Sequence, residues 1–263
     1  MCGFIGLWER HCHEPGQLTC TATLMADTLK HRGPDDSGVW TDASVGIALG
    51  FRRLSIIDLS NAGHQPMHSA SGRYVIVFNG EVYNFGDLRR ELEEVGHTFF
   101  GHSDTEVILA AIEQWGVRGA VCRFVGMFAI ALWDRRERSL ILIRDRLGIK
   151  PIYYGWVGQS FLCGSELKAF CAHPSFNREV DRGALSLYLR HLYVPTPYSI
   201  YKGVFKLPPG CMLSVRPDTA PGSLMPMPYW SAQEIVADNL ANRFNESDSD
   251  LVDQLDTLLR EAV

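Results

Sequence analysis

Residues 125–166 read VGMFAIALWDRRERSLILIRDRLGIKPIYYGWVGQSFLCGSE. Four apolar runs lie in this stretch, VGMFAIALWD, SLILIRD, PIYYGWV and SFLCGSE, divided by only a few polar or glycine residues. Short runs rich in Ile, Phe, Tyr and Trp and bounded by turn residues predict strands. Connectors this short suit antiparallel neighbours, because a parallel crossover needs about a dozen residues or more. The runs are apolar on both faces, so both faces are expected to be covered. With helical patterns concentrated upstream, the economical arrangement is two antiparallel sheets packed together with helices outside, an α+β layered fold.

Working outward, QLTCTATLMADTLKHRGPDD places Leu18, Leu24, Met25 and Leu29 at roughly helical spacing, with Gly33-Pro34 as the stop. SVGIALGFRRLSIID and RYVIVFNGEVYN read as strands running into loops. FGDLRRELEEVG carries Leu88, Leu92 and Val95 on one helical stripe. SDTEVILAAIEQWG opens with Ser103 and Glu106 in the relation of a capping box, with Ile108, Ala111, Ile112 and Trp115 facing inward. After about Val215 the chain turns Pro-rich and aperiodic, RPDTAPGSLMPMPYWSAQE, which reads as a linker. The last stretch, SDSDLVDQLDTLLREAV, is an amphipathic helix with Leu251, Leu255, Leu258 and Leu259 on one side and a cap signal at Ser247–Asp250. The expected organisation is therefore a domain over residues 1–215 and a linker plus helix over 216–263.

With 263 residues, 46% of them hydrophobic, the chain can bury a sizeable core. A net charge of −5 argues against bulk attraction to nucleic acid or to an anionic membrane surface. The seven cysteines are odd in number and lack CxxC spacing, as expected of reduced thiols in the cytoplasm rather than a disulfide framework or a zinc site. The HCH run at positions 11–13 lacks productive ligand spacing and reads as a solvated loop, so no metal is expected. RDRLGIKP is basic, but a turn beside a domain interface explains it better than a phosphate site.

The chain opens MCGFIGLWER, a thiol at position 2 ahead of an apolar run. Met1 can be removed, because processing favours a small second residue. Cys2 would then carry a thiol and a free α-amine on one residue. The amine has an ordinary pKa near 8, so a fair share is neutral at physiological pH and can act as base for its own thiol. No histidine is needed, and none of the nine sits in a Cys-His-Asn pattern.

An acyl-transfer nucleophile also needs an oxyanion hole and a substrate clamp. In FNGEVYN, the Asn79 amide can donate, and Gly80 lets a backbone N–H approach closely. RRLSI and HSDTE supply Arg53 and Asp104, with Glu81 between them in sequence. An α-amino acid offers a carboxylate to an Arg fork and an ammonium to acidic groups. Each element alone has a plainer reading: a hairpin turn, a surface charge, a helix cap.

Taken together, Cys2, HRGPDDSG, RRLSIIDL, GHQPM, NGEVYN, SDTEVIL, GMFAIALWD, RDRLGIKPIYY and GSELKAF closely resemble the class II glutamine amidotransferase domain of glutamine-hydrolysing asparagine synthetases. The resemblance runs in order from Met1 to about Val215, and YVPTPYSIYKGVFKLPPG is also in that style. It implies an N-terminal-nucleophile hydrolase sandwich of four layers, α/β/β/α, with antiparallel sheets. It also implies that Cys2 is the nucleophile and that Asn79 and Gly80 form the oxyanion hole. Arg53 would hold the carboxylate of L-glutamine, Glu81 and Asp104 its ammonium, and backbone groups around Leu54 and Ile56 would complete the pocket. The family's second domain activates aspartate with ATP through an SGGxDS-type loop, which this sequence lacks. ATP and Mg are thus expected only in a synthetase domain beyond these residues, and no cofactor is expected for the glutaminase half. Expected partners are glutamine, the chain's own C-terminal synthetase domain and, for a homodimer, a second copy. Two rival readings are amidation of another acceptor and a non-catalytic interaction domain.

Overall fold

Alternation of buried side chains builds the molecule. The computed structural model describes residues 1–10, 15–56, 58, 60–241 and 246–262, which form two compact units, Met1–Trp230 and Ser231–Val263. Strands in the first unit are β1 (Gly3–Glu9), β2 (Asp36–Asp42), β3 (Ile47–Arg53), β4 (Met67–His68), β5 (Tyr74–Val82) and β6 (Gly126–Asp134). Six more follow: β7 (Ser139–Arg144), β8 (Tyr153–Val157), β9 (Ser160–Gly164), β10 (Val204–Lys206), β11 (Cys211–Val215) and β12 (Met227–Pro228). Helices α1 (Pro15–Asp27), α2 (Phe85–Glu94), α3 (Asp104–Arg123), α4 (Leu167–Cys171) and α5 (Arg182–His191) complete that unit.

The strands make two six-stranded sheets, ordered β10-β8-β9-β1-β3-β2 and β12-β11-β7-β6-β5-β4, antiparallel throughout. Successive side chains alternate between two apolar environments. On β5, Val75 and Val77 join the layer between the sheets, while Ile76 and Phe78 pack outward with α2 and α3. On β1, Phe4 and Trp8 face inward, and Ile5 and Leu7 pack outward with α1 and α4. Trp8 and Trp133, one from each sheet, meet edge to face at 5.1 Å. The layers are helices, sheet, sheet, helices, as the sequence led us to expect.

One expectation needs refinement. β6–β7 and β8–β9 are hairpins, but β7 and β8 lie in different sheets, so residues 145–152 turn the corner of the sandwich. Buried polar groups hold that corner. Asp145 is fully buried and accepts from the backbone N–H groups of Phe128, Leu147, Ile149 and Lys150. Arg144 donates to the carbonyls of Lys150, Leu207 and Gly148 at 2.6–2.9 Å. Within a run that reads as a basic turn, Arg144 and Asp145 thus form a joint whose hydrogen bonds are met inside the fold.

Smaller differences have equally local causes. Leu24 is exposed, because the α1 stripe runs through Leu18, Ala22, Met25 and Leu29. Val95 caps α2 and is exposed. Ser103 does cap α3, accepting from the Glu106 N–H, but Glu106 reaches back to the N–H groups of Phe100 and Gly101 instead of closing the box. The first unit also extends beyond residue 215. β12 pairs with β11, Tyr229 is buried, and its hydroxyl donates to the Arg144 carbonyl at 2.8 Å. The second unit holds α6 (Ala232–Ala241) and α7 (Asp248–Ala262), the latter capped by Ser247 through the Asp250 N–H. His11, Cys12 and His13 lie outside the described residues. No described helix is long and apolar enough to cross a membrane.

Candidate active site

Period two carries the inward faces of three strands past the end of the apolar layer. Phe4 and Trp8 face inward on β1, so Cys2 shares that face; Leu49 and Phe51 set the same parity for Arg53 on β3, and Val75 and Val77 for Asn79 and Glu81 on β5. A cavity of about 170 Å³ opens there. Cys2, Arg53, Leu54, Ile56, Asn79, Gly80, Glu81 and Asp104 all line it, as does Met1. The structure thus brings together every site residue expected from the sequence.

Cys2 is held on both sides of its Cα. Its carbonyl accepts from Arg32 Nε at 2.8 Å, and its Sγ lies 3.3 Å from the Leu54 N–H and 3.5 Å from the Leu54 carbonyl. Burial pushes the thiol up from its ordinary value, against the opposing effects of the Leu54 N–H, the chain's amino terminus, Arg53 and Arg32. A thiol held protonated needs a base before it can attack.

Asn79 is 1% exposed, and its amide nitrogen has no hydrogen-bond partner among the described residues. A buried donor left unmade costs about 1–3 kcal/mol. Facing a cavity, that donor is available to an acceptor on a ligand.

Gly80 sits on β5 opposite Phe128 of β6. A Cβ there would lie 2.6 Å from Phe128 Cα and closer still to the Met127 carbonyl oxygen. The glycine is therefore required by the neighbouring strand, not only by approach from the cavity side. Gly80→Ala should cost about 1–3 kcal/mol, as overpacking of a close-packed interior does. Thermal denaturation checks this, and an unchanged midpoint would contradict the contact.

Arg53 lines the cavity. Its guanidinium donates to the Ser60 carbonyl at 2.9 Å and to the Asp58 carbonyl, and it fits only because residue 63 has no side chain. Asp104, the first residue of α3 and also on the lining, is 5% exposed and accepts from the Val82 N–H at 3.2 Å. Burial pushes its carboxyl up to about 6; the N–H groups of Val82 and Thr105 resist the rise, and the Glu81 carboxylate adds to it. Two carboxylates crowd one wall, and a cation between them would relieve both.

Sequence reasoning missed three residues here. Asp58 ties the Arg53 loop to the start of α3: its carboxylate accepts from the Ser60 hydroxyl and the N–H groups of His102 and Ser60, which draw it down to about 2. Gln65 accepts from the Phe78 N–H at 2.7 Å and donates to Thr105 Oγ1 at 3.1 Å, joining β5 to α3. Lys150 enters the cavity wall from the corner between the sheets. RRLSIIDL, GHQPM and RDRLGIKPIYY, quoted for the family resemblance, contain all three and were the available signal.

Comparison with known proteins adds the family. Residues 1–230 match the family model described as "Glutamine amidotransferase domain". Asparagine synthetase [glutamine-hydrolyzing] 1 of Bacillus subtilis is 39% identical over 219 residues, covering 83% of this chain and 34% of that protein. Asparagine synthetase [glutamine-hydrolyzing] 3 of the same organism is 38% identical over 266 residues, 100% of this chain and 41% of that protein. The chain thus spans less than half the length of these curated relatives. Among solved structures, the glutamine phosphoribosylpyrophosphate amidotransferase of B. subtilis superposes with a TM-score of 0.62 at 20% identity, over 87% of this chain and 49% of that one. That likeness speaks for the sandwich fold. With the family model running unbroken from Met1 through the last strand of the first unit, the chain belongs to the glutamine amidotransferase domain family.

Proposed function

We propose that this chain hydrolyses L-glutamine to glutamate and ammonia with Cys2 as nucleophile. The observation that carries the reading is the unpartnered amide nitrogen of Asn79 in the same cavity as the Cys2 thiol, an arginine and a pair of carboxylates. Glutamine fits that polarity, with its carboxylate toward Arg53, its ammonium toward Glu81 and Asp104, and its side-chain amide toward Cys2. Leu54 and Ile56 supply backbone groups along the wall. The α-amine of Cys2 takes the thiol proton as Sγ attacks the amide carbon. The oxyanion is held by Asn79 Nδ2 and the Gly80 N–H. The C–N bond then breaks as the α-ammonium returns its proton to the leaving nitrogen, giving ammonia and a thioester. Water, deprotonated by the same amine, attacks the thioester and releases glutamate and the thiol.

The half-reaction needs no cofactor in this scheme. Following the names of its relatives, we assign the ammonia to ATP-dependent amidation of aspartate by a synthetase domain outside these residues, where ATP and Mg would be bound. We place the chain in the cytoplasm, on the support of its cysteines, six of which are free thiols among the described residues.

The scheme fixes the mature N-terminus. Met1 lines the cavity, so it occupies substrate space as well as blocking the α-amine. N-terminal sequencing of protein that releases glutamate should return Cys2 as the first residue. Retained Met1 or an acetylated Cys2 in active protein would contradict the mechanism.

A further inference from the structure

Lys150 lines the cavity, and the scheme above gives its charge no role. Its side chain comes from the rigid corner rather than from β1, β3, β5 or α3. The corner aims it: the Lys150 N–H donates to Asp145 Oδ2 at 2.9 Å, and its carbonyl accepts from Arg144 Nε at 2.9 Å. The residue is 6% exposed. Its ammonium lies 3.4 Å from Met1 Sδ and meets no carboxylate among the described residues. A thioether is a poor partner for a buried cation, whose desolvation is costly unless it is paired. That partner also leaves when Met1 is removed.

We propose that Lys150 is a positioning residue for proton transfer at the processed N-terminus, where its ammonium stands beside the new α-amine of Cys2. This rests on the glutaminase reading. A fixed positive charge disfavours protonation of a neighbouring amine and favours ionisation of a neighbouring thiol. Lys150 therefore keeps the α-amine in its basic form at neutral pH and offsets the burial that holds the Cys2 thiol protonated.

Other charges face this corner of the cavity, and each has a contact or an assigned role that removal of Met1 leaves in place. Arg53 from β3 is bound to the carbonyls of Ser60 and Asp58. Arg32, beyond the end of α1, holds the Cys2 carbonyl and pairs with Glu166, just before α4, at 2.8 Å. Glu166 also meets His31 and Lys168. Asp58 is enclosed by N–H groups and the Ser60 hydroxyl. Glu81 of β5 and Asp104 of α3 lie on the wall assigned to the substrate ammonium. Lys150 is the cation whose contact is cleared by maturation.

The test is the pH dependence of Cys2 alkylation by iodoacetamide in the processed chain, without glutamine, so that the substrate's charges take no part. In Lys150→Met the midpoint should move up by about one pH unit. Alkylation should be several-fold slower at pH 7 and recover at high pH. Lys150→Gln, which keeps a polar end without the charge, should shift the same way, and Lys150→Arg should return the midpoint close to wild type. An unshifted midpoint in both neutral variants, or a loss uniform across pH, overturns the proposal. Wild-type glutamine hydrolysis is assayed alongside. Its absence would sink the glutaminase reading, whereas hydrolysis with unshifted midpoints sinks the role of Lys150 alone.

Discussion

Cys2→Ala should abolish glutamine hydrolysis while leaving the fold in place. Two other side chains that line the cavity carry a hydroxyl, but Ser103 caps α3 and Thr105 Oγ1 accepts from Gln65, which leaves the Cys2 thiol as the nucleophile that stands with an α-amine base on its own residue. Removing a nucleophile that acts as a unit with its base lowers turnover by at least about 10⁴-fold. The structural cost is small by comparison. Cys2 is half-buried beside the core, and its sulfur makes two long contacts with Leu54. Losing one partly buried atom costs about 1 kcal/mol or less, a few degrees of melting temperature in a chain of this size. Glutamate release and thermal denaturation measured on one preparation separate the two effects. Residual turnover within tenfold of wild type would remove Cys2 from the chemistry, and a collapse of the melting transition would make it a structural residue.

Asp104→Asn should raise the Michaelis constant for glutamine about ten- to hundredfold and make the free protein more stable at neutral pH. The first effect is the loss of a charged hydrogen bond in a half-dry site, about 1.5–3 kcal/mol. The Michaelis constant reads that loss where chemistry is slower than dissociation. Turnover should fall less, because the ammonium is several bonds from the reacting amide. The second effect follows from linkage. The carboxyl sits at about 6 in the folded chain against 3.8 for the free group. The folded state thus binds this proton more tightly than the unfolded chain does, and ionisation above pH 6 works against folding by roughly 3 kcal/mol. That penalty shrinks as pH falls through 6 and is gone below the unfolded value. The amide oxygen of the Asp104→Asn variant can still accept from the Val82 N–H. The variant should therefore melt at a higher temperature than wild type at pH 7–8 and lose that advantage toward pH 4.

The same carboxyl gives substrate binding a pH limb. Neutral Asp104 attracts an ammonium weakly, so the wild-type Michaelis constant should climb as pH falls through about 6, and the variant should lack the climb. A helix-capping role alone points the other way. A carboxylate favoured by the helix dipole would be worth about 0.3–1 kcal/mol to stability, so its loss would lower the melting temperature and leave the Michaelis constant unchanged.

Much of this was legible in the chain, for reasons that particular residues show. Alternation along RYVIVFNGEVYN places Val75, Val77, Asn79 and Glu81 on one face, so a strand assignment alone aims the site residues inward. The capping serine of α3 was equally local. What the sequence hid depends on distant partners. Gln65 matters because Thr105, 40 residues on, completes its hydrogen bonds, and Asp58 matters because of His102, 44 residues on. Arg144 and Asp145 look like surface charge until the corner folds around them. Gly80 reads as a turn residue beside Asn79, yet its real constraint is the backbone of β6. GIKP marks Lys150 only as part of a resemblance and does not tell that it reaches the cavity, because its neighbour is Met1, 149 positions away.

The most direct test of the account is intact-mass analysis after treatment with an electrophilic glutamine analogue. We expect one adduct per chain, on protein that begins at Cys2, suppressed by excess glutamine and absent from Cys2→Ala. An adduct on any of the other six cysteines, labelling of a chain that retains Met1, or no labelling at all would contradict it.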